Sequence, residues 1–204
     1  HANAARNPNA LLRKSVTLEA YEDARVIAPP LRLFDVSPIC DGAAAVILVS
    51  GDALRAARPN GARVRVVGSA VATDTLALAD RRDPLVLDAV ARSTARVYAQ
   101  AGITSRHVDL FELHDAYSVM AALSLEAAGF AERGRAVELA REGRIGLGGD
   151  VPIATMGGLK ARGHPVGATG VYQAVEAYQQ LLGLAGDNQL PTPHIAMLQG
   201  FGGT

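Results

Sequence analysis

Apolar positions along this chain fall into short blocks of two periodicities, and their order predicts a layered α/β domain. Residues 1–36 carry no such block. There Asn7-Pro8 and Ala28-Pro29-Pro30 flank a short helical candidate over 17–25 with Thr17 as its cap, so a loop-rich appendage is expected. After Asp41-Gly42 the chain is wholly apolar over 43–49, the length of a strand buried on both faces, and 51–58 reads as a short helix. Residues 63–71 alternate and then turn apolar, which predicts another strand. Asp83-Pro84 offers an N-cap with proline at the first helical position; the helix it opens carries Leu85, Leu87, Val90 and Val97 as a stripe and stops at Gly102.

A strand over 108–113 follows, then a helix capped by Asp115 and stopped by Gly129. The charged, then glycine-rich stretch 131–150 reads as a surface excursion, and 153–170 as a glycine-punctuated loop. A helix over 171–182 would set Val171, Val175, Tyr178 and Leu182 on one face, and 194–199 would form a last short strand before Gly200-Phe201-Gly202-Gly203.

Composition narrows the function classes. Lys+Arg and Asp+Glu balance at 20 each, and the basic clusters are interleaved with acids, so no nucleic-acid partner is implied. No apolar stretch reaches membrane-spanning length and the polar start lacks a signal-peptide core, so no membrane partner is implied either. The lone Cys40 cannot close an internal disulfide, no zinc-ligand spacing is present, and a reducing, cytoplasmic setting fits. His1 opens without an initiator Met directly into polar chain, and the last strand ends in glycines; both ends are expected to be fragment boundaries.

Chemistry concentrates in Gly157-Gly158-Leu159-Lys160-Ala161-Arg162-Gly163-His164-Pro165-Val166-Gly167-Ala168-Thr169-Gly170. Glycines packed around one histidine let the backbone pass close to a ligand while holding the imidazole, and His164 would suit a base near neutral pH; a histidine that only satisfies a tight turn fits the same spacing. In Glu112-Leu113-His114-Asp115-Ala116-Tyr117, His114 could orient a water or a carbonyl oxygen, or be a core histidine bonded to backbone, while Asp115 reads as a cap and Tyr117 as packing. Gly202 and Gly203 could form an anion-binding nest or a loose terminus.

Taken in order, SPICDGAAAVILVS, ELHDAYS, GGLKARGHPVGATG and LQGFGG resemble the thiolase superfamily, in the branch of sterol-carrier-protein-type and archaeal acetoacetyl-CoA thiolases. The resemblance implies a partial αβαβα thiolase fold: a loop-domain tail over 1–36, the last strand and helix of the amino-terminal half-domain over 37–62, and the carboxyl-terminal half-domain over 63–204 with its last strand truncated. It implies acyl transfer to and from coenzyme A, by Claisen condensation or thiolysis of a 3-oxoacyl-CoA through an acyl-cysteine on the missing half. Cys40 is not that nucleophile and is expected to be a small buried residue. His164 would assist thiolate formation, and His114 would stand beside the acyl site. Gly163, Gly202 and Gly203 would line oxyanion sites.

The family's second acid/base cysteine has no counterpart here, since Ala116 stands at its place in ELHDAYS, and Tyr117 is a candidate substitute. Two alternatives therefore accompany the main reading: a thiolase-fold retro-aldol lyase acting on a steroid-type acyl-CoA, and a non-catalytic acyl-CoA-binding subunit. No cofactor is expected beyond the coenzyme A thioester as substrate. A homodimer or tetramer and an OB-fold zinc-containing partner are the implied assemblies.

Overall fold

The computed structural model describes residues 1–57 and 63–202. Its centre is a small parallel sheet, in which β3 (Leu110–Glu112) pairs with β4 (Ala196–Leu198), Phe111 opposite Met197. On the other edge of β3, Phe111 bridges to Ile153, its N–H donating to Pro152 O and its carbonyl accepting from Ala154 N–H. Two further strands, β1 (Val26–Ala28) and β2 (Leu31–Arg32), make an exposed antiparallel hairpin.

Helices cover the parallel pair because the strands are apolar on both faces and must be sandwiched. These are α3 (Asp88–Ala101), α4 (Ser118–Ala127) and α7 (Thr169–Leu181), joined by shorter α1 (Leu18–Glu22), α2 (Gly51–Ala57), α5 (Ala136–Arg141) and α6 (Gly158–Ala161). The core gathers Phe111, Leu113, Leu125, Leu139, Ile153 and Met197, with Phe130 stacked on Phe111. Phe111 has no exposure at all, and truncating such a ring costs about 3–5 kcal/mol.

Thr17 caps α1 as expected, its Oγ1 accepting from Ala20 N–H at 3.1 Å. Gly102 and Gly129 take the left-handed conformation that ends a helix, at φ 68° and 78°. Several expectations need correction. The apolar run 43–49 forms no strand, and Ile47 is 91% exposed; a strand exists only when a neighbour pairs with its backbone, and among the described residues no backbone hydrogen bond pairs this run with another segment. Residues 63–71 form no strand either. Part of that segment runs along α3 instead, with Ser69 N–H donating to Gln100 Oε1 and Arg96 Nη1 to Val71 O.

The α3 helix starts at Asp88, because Asp83 spends its carboxylate on a local turn, accepting from Leu85 N–H at 3.0 Å. Leu85 is left exposed, while Leu87 and Val90 are buried. The excursion 131–150 contains α5, which sends Ala136 and Leu139 into the core. Residues 1–12 are not a loose appendage: Asn7 donates to Met156 O, Leu12 N–H to Ala161 O, and Ala4 and Ala10 pack against Ala161. The face of α7 turned inward is polar, through Gln173, Glu176 and Gln180, whereas Tyr178 is exposed.

Candidate active site

Parallel strands of α/β proteins present their carboxyl ends to ligands, and the sequence candidates converge there. β3 ends at Glu112 and hands the chain to His114, while the 153–170 loop brings in His164. The two imidazoles meet edge to face, centroids 5.2 Å apart at 89°. Phe201, just beyond β4, stands edge-on to His114 at 5.4 Å. Both histidines are half-buried.

His164 is fixed at three points. Its backbone N–H donates to Pro38 O at 3.0 Å, its carbonyl accepts from Cys40 N–H at 3.3 Å, and its Nδ1 lies 2.7 Å from Thr169 Oγ1. Thr169 opens α7, so the ring is referenced to that helix. Gly163 precedes the histidine at φ 122°, and a Cβ there would stand 2.9 Å from both Cys40 Sγ and Leu11 Cδ1. Only glycine meets both demands. Cys40 is half-buried rather than buried, seated against this glycine.

His114 is held through its backbone, whose N–H donates to Gln199 Oε1 at 3.0 Å. Gln199 N–H in turn donates to Glu112 O, and Gln173 Nε2 gathers the carbonyls of Glu112, Leu113 and Gln199 at 3.1–3.2 Å. The next residue, Asp115, does not cap α4 as expected. It is buried and its Oδ1 accepts from Leu159 N–H at 2.7 Å, so it caps α6 across the site. Gly158 sits at φ 60°, where a Cβ would fall 2.5 Å from Asp115 Oδ2.

Burial lowers the pKa of both imidazoles by penalising their charged forms; the Arg162 charge adds to the effect at His164 and the neighbouring His164 adds to it at His114, with Asp115 opposing both. Both rings are therefore neutral near pH 7. Beneath the loop, burial raises the carboxyls of Glu112 and Glu176, the latter to about 8, with Arg162 opposing. Among the described residues no group of three or more His, Cys, Asp or Glu side chains could hold a metal.

The structure brings His114, His164 and Gly163 together. Tyr117 stands at the N-cap position of α4, 43% exposed and bridged by its backbone to Val36, so it is not a packing residue. Gly202 is exposed, and Gly203 lies outside the described residues. A cleft of about 380 Å³, lined by Asp115, Ser118, Lys160 and apolar side chains including Leu125 and Ile145, opens next to this region. The imidazoles themselves do not line it. Sequence reading missed Thr169, Gln199, Arg162 and Glu176 as supports of the site; for Glu176 the signal was there, since it is the only charged residue of α7.

At the strand ends of the parallel α/β core stands a pinned histidine pair, both rings neutral near pH 7. The chain belongs to the thiolase family: the family described as Thiolase C-terminal domain-like matches residues 70–204. Among curated proteins it is 43% identical to an acetyl-CoA acetyltransferase of Methanothermobacter thermautotrophicus, over 100% of this chain and 53% of that protein. It is 30% identical to sterol carrier protein 2 of Gallus gallus, over 99% of this chain and 38% of that protein. Among solved structures, the Ltp2-ChsH2(DUF35) aldolase shares the fold with a TM-score of 0.84 at 23% identity, over 97% of this chain and 51% of that one. The chain thus spans about half the length, or less, of these relatives.

Proposed function

We propose that the full-length protein is a thiolase-type acyl-CoA acyltransferase, and that this chain supplies its base and oxyanion histidines. The supporting observation is the neutral His164 ring, with Nδ1 held by Thr169 and no hydrogen bond to Nε2 from any described residue. With Nδ1–H donating to Thr169 Oγ1, Nε2 offers a lone pair to a thiol proton. The resulting cysteine thiolate attacks the acyl-CoA carbonyl, the acyl carbon–sulfur bond to coenzyme A breaks, and the departing thiolate takes the proton from Nε2.

In this reading the nucleophile lies on a part of the protein that the relatives have and this chain does not span, and the coenzyme A thioester is the substrate with no further cofactor. Residues 1–36 belong to a loop domain, 37–62 close an amino-terminal half-domain and 63–204 form the carboxyl-terminal one. The exposed Ile47, Leu48, Val66 and Val71 support it, since strands from the rest of the protein would cover them. A homodimer or tetramer, with an OB-fold zinc-containing partner, completes the proposed assembly.

A second reading, retro-aldol cleavage of a steroid-type acyl-CoA, draws on the exposed hydroxyl-bearing Tyr117 at the start of α4 and on Ala116 standing where a cysteine acid/base is expected. The test is a 3-oxoacyl-CoA thiolysis assay on the full-length protein with mass-spectrometric trapping of the acyl-enzyme. An acylated cysteine with turnover is the expected result. Aldol cleavage without an acyl-enzyme would replace it by the second reading, and acyl-CoA binding with neither reaction by a non-catalytic subunit.

A further inference from the structure

Three side chains on one face of α7 grip the segment that carries His164. Thr169 holds the imidazole itself at 2.7 Å. Tyr172 lies under the Arg162 guanidinium, 4.9 Å from the ring centroid. Glu176 Oε1 stands 2.6 Å from Arg162 Nε, with both side chains 5–6% exposed. Positions 169, 172 and 176 follow one another at helical spacing, so one rigid element contacts the loop at successive turns.

Arg162 passes this grip on to the histidine. Its Nη1 donates to Gly163 O at 3.0 Å, and that peptide sets the strained turn, φ 122°, that aims His164. Arg162 Nε and Nη2 and Glu176 Oε2 make no regular hydrogen bond among the described residues, so the guanidinium is held by its close approach to Glu176 Oε1, by the Gly163 carbonyl and by the Tyr172 ring. A buried guanidinium that lost the Glu176 carboxyl oxygen as its acceptor would be driven to move towards solvent or another acceptor. The nearby charged groups facing His164 and this pair are Glu112 and Asp115 from the end of β3, and no other partner is available to Arg162 at ion-pair distance among the described residues.

We propose that Arg162 and Glu176 are positioning residues, a buried clamp that fixes Gly163 and through it the orientation of the His164 imidazole. The inference rests on the reading of His164 as the active-site base, but its test reads the ring directly. In the full-length protein labelled at histidine carbons, the His164 signal is followed by NMR through a pH titration in wild type, Glu176→Leu and Glu176→Gln. Glu176→Leu is expected to move the His164 signal and its titration and to lower kcat about tenfold with KM changed less than twofold. Glu176→Gln, which keeps an acceptor for Arg162, is expected to restore most of both.

An unchanged His164 signal and kcat in a folded Glu176→Leu protein overturns the clamp. If that variant does not fold, the Arg162→Met/Glu176→Leu double variant removes both buried polar groups. It is expected to fold and still to show the displaced His164 signal, whereas a wild-type signal there overturns the proposal. A displaced ring in a protein without thiolase turnover supports the clamp and sinks the acyltransferase reading instead, so the two failures are separable.

Discussion

Thr169 Oγ1 stands 2.7 Å from Nδ1 of His164, and this one contact decides which ring nitrogen is left for chemistry. Removing it should cost orientation more than stability. Thr169→Val is nearly isosteric and deletes the hydroxyl, a loss of about 1 kcal/mol of hydrogen bonding. In the full-length enzyme we expect about a tenfold lower kcat, KM nearly unchanged and a melting temperature within a few degrees of wild type, checked by steady-state kinetics and calorimetry.

Gly163→Ala tests the turn. The added methyl must occupy φ 122° and meet Cys40 Sγ and Leu11 Cδ1 at 2.9 Å. A strained backbone position of this kind costs about 1–3 kcal/mol. Denaturant unfolding should show a loss of at least that size, together with lower activity, because the residue that moves next is His164.

How much of this was legible in sequence depends on the residue. The His164 loop announced itself, because glycine at positive φ and a single histidine are both visible as residue types. The polar face of α7 was not. Gln173, Glu176 and Gln180 look solvated by pattern, yet each is buried. Gln173 reaches the ends of both strands, Glu176 pairs with Arg162, and Gln180 Nε2 bonds Asn188 O at 2.8 Å. Burial of such groups is set by tertiary partners, which periodicity does not see. The apolar run 43–49 erred the other way: its propensity suits a strand, but pairing depends on a neighbour that is absent among the described residues. Asp115 was recognised as a cap but assigned to the helix that follows it, whereas its bond goes to Leu159.

The exposed apolar segments make a simple prediction. If strands elsewhere in the full-length protein cover them, backbone amides over 43–49 and 64–67 should be protected from hydrogen exchange there and unprotected in the 204-residue chain. Equal, fast exchange in both would mean that nothing pairs with them.

Buried carboxyls should also shape stability against pH. Burial raises Glu176 from its ordinary 4.5 to about 8, so its protonated form favours the fold. A group raised in this way contributes stability that is fully present below pH 4.5 and lost as pH rises through about 8. Urea midpoints of the full-length protein should therefore fall across that window, and Glu176→Gln, which cannot ionise, should flatten the decline.

Thiolate formation by the His164 imidazole is tested most directly by the pH dependence of alkylation of the nucleophilic cysteine in the full-length protein. Burial holds His164 below its ordinary 6.5, so the neutral ring is present near pH 7 to accept the thiol proton, and the wild-type cysteine should be alkylated faster there than an ordinary thiol. In His164→Ala the alkylation profile should move up towards an ordinary thiol near about pH 8.5, with thiolysis lost by at least about a hundredfold. Superimposable alkylation profiles for wild type and His164→Ala would contradict the account.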